Sequence, residues 1–197
     1  MKLFVTGGIG SGKSTFVEYL EELGAAIVYA DKVGHENLFD PEVKAALRKQ
    51  FGDGIFDAEG EVVRPALAAA AFSSPENTQA LDAITQPVLY RRCLEKVNEA
   101  ALTHKVVVLE MAILDGRDNF GDNADMVVCV TASPEVRVER LVQSRGLPRD
   151  DAENRIARQV PESQRISISD VVLVNDSTID EFKKHIDEWV RENHLFD

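Results

Sequence analysis

Residues 6–15 read "TGGIGSGKST" and follow directly on the apolar run "KLFV" at 2–5. Gly7-x-x-x-x-Gly12-Lys13-Ser14 is the P-loop pattern, set between an expected strand and an expected helix. Glycines let backbone N–H groups converge on a phosphate, and the N-terminus of the following helix adds partial positive charge. Lys13 can reach β- and γ-phosphate oxygens, and the Ser14 hydroxyl suits a magnesium ion. The loop alone does not separate kinases from ATPases or GTPases.

Working outward, five short β-branched runs stand out, at 2–6, 26–30, 106–110, 126–131 and 171–174. They are continuously apolar rather than alternating, which predicts strands of a parallel sheet buried on both faces. Helical stretches separate them in a βαβ rhythm. One follows the loop, with Phe16, Leu20 and Leu23 on one face and Gly24 as its stop. Another, at 178–192, spaces Ile179, Phe182, Ile186, Trp189 and Val190 for packing on the sheet. The predicted fold is α/β, a P-loop NTPase core with a five-stranded parallel sheet flanked by helices.

Residues 32–105 are too long for a simple crossover and read as a helical insertion able to wall a second ligand site. Ser74 and Pro75 resemble an N-cap followed by proline at the first helical position. Pro87 is expected to end or kink the helix that follows.

The chain of 197 residues suffices for one well-buried core. Its net charge of −12 argues against nonspecific binding to nucleic acid or an anionic membrane. An anionic nucleotide must then be met by local positive charge. Residues 137–165 hold seven arginines (137, 140, 145, 149, 155, 158 and 165) and five acids, a local +2 against −14 elsewhere. Such a stretch is either a solvated helical face or, beside a phosphate loop, an anion clamp. No apolar run reaches the roughly 18–20 residues of a membrane helix, and no signal pattern precedes the first strand. Cys93 and Cys129 stand in no metal or redox spacing, and the four histidines form no ligand cluster. A cytoplasmic location is expected.

Asp31 and Glu110 close the second and third apolar runs, where parallel sheets gather ligand groups. Asp31 can accept a hydrogen bond from an attacking hydroxyl, or can merely cap the next helix. Glu110 can hold a magnesium-bound water, or can be a plain strand-end charge. "DAEG" at 57–60 fits D-x-x-G but follows no strand, and no N-K-x-D guanine signature occurs.

"TGGIGSGKST" followed by "ADKVGH" resembles the dephospho-coenzyme A kinase family of P-loop small-molecule kinases. The similarity runs through nearly the whole chain. It takes in "FGDGIFDAEGEVVRPALAAAAF", with Phe51, Gly52, Gly60, Arg64 and Phe72, and "DDAENRIARQVPESQRISISDVVLVND", with Ala152, Arg155, Gln159, Asp170 and Asn175. The resemblance implies ATP-dependent phosphorylation of the ribose 3′-hydroxyl of dephospho-coenzyme A. It implies a single kinase domain with core 1–31, 106–139 and 166–197, a substrate-binding insertion at 32–105 and a mobile lid at 140–165. Gly8, Gly10, Ser11, Gly12, Lys13, Ser14 and Thr15 would hold the ATP phosphates, with Ser14 on Mg2+ and Asn175 near the adenine. Asp31 would orient or deprotonate the hydroxyl, Arg140 would clamp the transferring phosphate, and His35 and Arg64 would bind the acceptor.

Four positions depart from the family pattern. Tyr29-Ala30-Asp31 replaces D-A-D, Gln86-Pro87 replaces a histidine-proline pair, "EMAIL" at 110–114 replaces D-x-P-L-L, and Ser144-Arg145-Gly146 replaces R-D-G. None touches Lys13 or Asp31, so activity is expected to survive; they bear on acceptor-site geometry and on Arg145. The other readings are a kinase of another small hydroxyl or nucleoside monophosphate, and a catalytically silent ATP-binding regulator.

Overall fold

A computed structural model describes residues 1–112 and 123–197 and divides the chain into two units. Ile113 and Leu114 of the "EMAIL" stretch lie outside the described residues. The first unit, Met1–Tyr29 with Lys96–Asp197, is built on a five-stranded parallel sheet. Its strands are β1 (Lys2–Gly7), β2 (Ala26–Tyr29), β3 (Val107–Glu110), β4 (Met126–Thr131) and β5 (Val171–Val174), in the order β2-β3-β1-β4-β5. β1 is central, and Leu3, Phe4 and Val5 are essentially without solvent exposure, as expected for a strand covered on both faces. β2 stops at Tyr29, one residue short of the expected run, because Ala30 already opens the next helix.

Helix α1 (Lys13–Glu22) presses Phe16, Val17 and Leu20 onto Leu3, Val5, Val128 and Val130. Helix α9 (Ile179–Glu192) adds Phe182, Ile186 and Trp189 to the same core, and the Phe16 and Trp189 rings meet at 5.5 Å. Truncating a fully buried Phe16 to alanine would cost about 3–5 kcal/mol. α1 ends where expected: Gly24 takes φ +105, letting Ala25 N–H return to the Leu20 carbonyl at 2.9 Å. α9 begins with a Thr178–Glu181 capping box. The arginine-rich segment forms α6 (Pro134–Arg145), α7 (Arg149–Ala157) and α8 (Glu162–Ser167). Val138, Leu141 and Ala152 make a small core of their own there, into which Ile9, Leu147 and Ile156 pack.

The second unit, Ala30–Glu95, is helical. It comprises α2 (Ala30–Asn37), α3 (Pro41–Phe51), α4 (Arg64–Ala71) and most of α5 (Pro75–Ala100) around Val43, Leu47, Ile55 and Leu67. Asp40 caps α3 by accepting from Glu42 and Val43 N–H, which lowers its pKa, and it also pairs with Arg92. Ser74 caps α5 as expected, its hydroxyl accepting from Asn77 N–H at 3.2 Å. α5 does not end at Pro87 but runs through it. A helical proline forfeits one backbone hydrogen bond, and the unbroken turns on either side retain theirs. The D-x-x-G match at 57–60 is a tight turn: the Asp57 carboxylate accepts from Glu59 and Glu61 N–H, beneath a Phe56–Val62 bridge. The unit also holds a largely apolar cavity of about 660 Å³, lined by Asn37, Leu38, Arg64, Leu67, Phe72 and Leu89 among others. No described helix is long and apolar enough to cross a membrane.

Candidate active site

The loop leaves β1 at Gly7 and enters α1 at Lys13. Gly12 makes the turn at φ +91, and a Cβ there would lie 2.0 Å from the Asn175 amide nitrogen, so both conformation and space demand glycine. Gly8 is constrained by space alone, its missing Cβ falling 2.4 Å from an Arg137 guanidinium nitrogen. α1 opens with no side-chain cap and no acid in its first turn. Its first N–H groups and the positive end of its dipole are thus left for an external anion.

Lys13 forms an ion pair with Glu110, both side chains nearly buried. The sheet register explains the meeting, since Glu110 lies beside Val5 of β1 at the strand end from which the loop departs. Glu110 is therefore more than a plain strand-end charge; it is the counter-ion of the loop lysine. The exposed Ser14 and half-buried Thr15 hydroxyls make no hydrogen bond among the described residues.

The loop's shape is imposed from the arginine-rich helices and from β5. Arg137, 4 % exposed, donates from Nε to the Ile9 carbonyl at 2.9 Å and from Nη2 to Gln159 Oε1 at 2.9 Å. Glu162 lies 3.8 Å from it and also accepts from the Thr131 hydroxyl. Burial pulls the Arg137 pKa down, the Glu162 carboxylate opposes that, and the group stays charged. Arg140 donates to the Gly10 and Ser11 carbonyls at 3.3 and 3.4 Å, to Asn175 Oδ1 at 3.2 Å and to the Ser177 carbonyl at 3.1 Å. Asn175, 4 % exposed, donates to the Ser11 carbonyl at 2.9 Å.

The arginines therefore divide. Arg137 and Arg165 are buried, Arg140 braces the loop, and Arg149 pairs with Glu135 and Glu153 on the surface. Arg145, Arg155 and Arg158 are exposed and form no ion pair among the described residues.

Asp31, His35 and Arg64 belong to the helical unit. Asp31 sits in the first turn of α2, exposed, with His35 one turn further along. Arg64 opens α4 at the lining of the cavity. None of the three forms a hydrogen bond or ion pair among the described residues. Gln86, where the family pattern has histidine, lies within α5 beside Pro87.

The described residues contain no group of three or more His, Cys, Asp or Glu able to cage a metal. Ser14 with Glu110 instead offers hard oxygen at the loop's edge. That donor set fits a magnesium ion arriving on nucleotide phosphates, because this ion keeps most of its shell as water and phosphate oxygen.

Sequence reasoning gave Arg137 and Gln159 no individual part in the site. A signal existed for Arg137, since positions 137 and 140 share one face of α6. For Gln159 the signal was its match to the family pattern, which said nothing of its partners 22 and 150 residues away.

A model of the dephospho-CoA kinase family matches residues 1–181. The dephospho-CoA kinase of Corynebacterium jeikeium is 39% identical over 184 residues, covering 93% of this chain and 94% of that protein. Among solved structures, a Thermus thermophilus protein superposes with a TM-score of 0.77 at 27% identity, covering 98% and 97% of the two chains. The dephospho-CoA kinase of Campylobacter jejuni superposes with a TM-score of 0.64 at 22% identity, covering 97% and 96%.

Proposed function

The chain belongs to the dephospho-CoA kinase family, and on that premise we propose that it transfers the γ-phosphoryl group of ATP to the ribose 3′-hydroxyl of dephospho-coenzyme A, giving coenzyme A and ADP. One observation carries the reading onto these residues: a braced glycine loop opens into an uncapped helix that bears Lys13. That is a ready site for the β- and γ-phosphates. Gly8, Gly10–Thr15 and Lys13 take the ATP phosphates, and Asn175 serves the nucleotide by holding Ser11 and Gly12 in shape.

In the reaction, the 3′-hydroxyl oxygen bonds to the γ-phosphorus as the bond to the β–γ bridging oxygen breaks. Asp31 orients the hydroxyl and receives its proton. Lys13 leaves Glu110 for phosphate oxygens, and Arg140, set against the loop, stabilises charge on the transferring group. Ser14 would hold Mg2+, which supplies further charge neutralisation on the phosphates. Within the Ala30–Glu95 unit, the apolar cavity suits the acceptor's long, weakly polar tail. Arg64 and His35 suit its phosphates. Residues 140–165 act as a lid whose exposed Arg145, Arg155 and Arg158 meet anionic substrate, and closure keeps water from the γ-phosphate. Residues 32–105 serve as the acceptor-binding insertion of one kinase domain. The two unbridged, buried cysteines fit work in the reducing cytoplasm.

Incubation with ATP, Mg2+ and dephospho-coenzyme A should yield coenzyme A and ADP in equal amounts. Parallel reactions with nucleoside monophosphates or shikimate should yield none. ATP binding without transfer to any of these acceptors would overturn the kinase reading in favour of a silent nucleotide-binding protein.

A further inference from the structure

Ile9 is gripped at three points by residues that follow it by more than a hundred positions. Its N–H donates to Gln159 Oε1 at 2.9 Å, its carbonyl accepts from Arg137 Nε at 2.9 Å, and its side chain packs against Val138, Leu141 and Ala152. Gln159 Oε1 also accepts from Arg137 Nη2 at 2.9 Å. One carbonyl oxygen thus closes a ring joining the loop peptide, the buried guanidinium and the end of α7. Gln159 lies two residues past Ala157, with its own N–H on the Ile156 carbonyl at 3.2 Å, so α7 and the loop share this one anchor.

From this ring we infer that Gln159 is a positioning residue for phosphate binding. Its side-chain oxygen sets the first half of the glycine loop and ties that half to the arginine-bearing helix α7. Among the described residues only the acceptor oxygen is used, facing two N–H donors. A group that accepts at the same place can therefore substitute for it, and an apolar group of the same length cannot. Without the oxygen, the Ile9 N–H and one Arg137 N–H lose their partner in a semi-buried site, an arrangement that proteins avoid. The loop then samples backbone shapes that no longer converge on phosphate. Because α7 carries Arg149 and Arg155, displacement of this helix is felt at Ile9, so the ring joins Arg140 and the Ala152 contact in coupling lid to loop.

The inference rests on the loop being the ATP site, and its test keeps the two separable. Wild type, Gln159→Met, Gln159→Ala and Gln159→Glu are compared by calorimetric titration with ATP and by steady-state kinetics in both substrates. The expected result is an ATP Kd and KM about tenfold higher in Q159M and Q159A, of the order that follows from losing the two hydrogen bonds to this oxygen. In Q159E both constants stay within about threefold of wild type, and the acceptor KM is unchanged in all three variants. A residue serving stability alone would lower the melting temperature and the active fraction without moving the ATP KM. Unchanged ATP binding in Q159M and Q159A, or equal impairment in Q159E, would overturn the inference. Wild-type protein that bound no ATP would overturn the kinase reading and this inference with it.

Discussion

The side-chain amide of Asn175 donates to the Ser11 carbonyl at 2.9 Å, bolting the end of the last strand to the glycine loop across 164 positions of sequence. Its oxygen accepts from Arg140, so the amide is used at both ends. Asn175→Ala should weaken ATP binding by about 1–2 kcal/mol, the size of one buried hydrogen bond. The melting temperature should fall by a few degrees. Asn175→Asp should be worse, since it sets a charged carboxylate oxygen against the Ser11 carbonyl oxygen with no proton between them. ATP titration and thermal melts of the two variants check both statements.

Lys13 and Glu110 neutralise one another at the mouth of the loop. An incoming phosphate must take Lys13 away from that carboxylate. In Glu110→Gln the lysine loses the carboxylate of its ion pair, so ATP binding measured without magnesium should tighten, while Lys13→Ala should abolish turnover. Calorimetry with and without magnesium separates loss of the counter-ion from any effect on the metal; weaker magnesium-free binding in E110Q would contradict the exchange.

Asp31 is exposed in the first turn of α2 and bonds to nothing among the described residues. Asp31→Asn should leave the melting temperature unchanged and lower kcat by about 10²–10⁴, the range for a lost general base. Turnover near wild type would remove Asp31 from the chemistry.

Arg64 stands at the lining of the helical unit's cavity and forms no ion pair among the described residues. Arg64→Ala should raise the acceptor KM about tenfold and leave the ATP KM alone. Ala68→Phe, which fills the cavity from α4, should do the same through size rather than charge. Two-substrate kinetics on the variants read this directly.

Cys129 is buried in β4, and that burial pushes its thiol up to about 11, with Glu162 adding to the effect. In the unfolded chain it returns to near its ordinary value of 9.0. The neutral thiol therefore contributes stability below about pH 9, and this is lost as pH rises toward about 11. Melting temperatures from pH 8 to 11 should fall less steeply in Cys129→Ala. At pH 8, native protein should resist a thiol reagent at Cys129 that unfolded protein accepts.

Much of the sheet was legible because β1, β3 and β4 are buried on both faces and so advertise themselves as unbroken β-branched runs. The edge strand β5, equally apolar in sequence, exposes Val172 and Val174. The phosphate loop was legible because its constraints are local, written into glycine spacing and one lysine. What could not be read was how the braces act, although the resemblance named Gln159 and set Asn175 near the adenine. Arg137, Gln159 and Asn175 act on the loop from 128 to 164 positions away. One dimension records neither that distance nor which carbonyl each side chain meets. Spacing placed Arg137 and Arg140 on one helical face without revealing what that face would cover. Pro87 misled for the converse reason: its local cost is real, yet a 26-residue helix absorbs a single missing hydrogen bond.

The braces also set an order of events during synthesis. The glycine motif is complete after fifteen residues, but β1 has no neighbouring strand until β3 and β4 exist, and the loop has no scaffold until α6, Gln159 and Asn175 have been made. At roughly 5–20 residues per second, a ribosome needs on the order of ten to thirty seconds to travel from the motif to its last support. During that interval the nascent chain carries the phosphate-binding signature without the side chains that brace it.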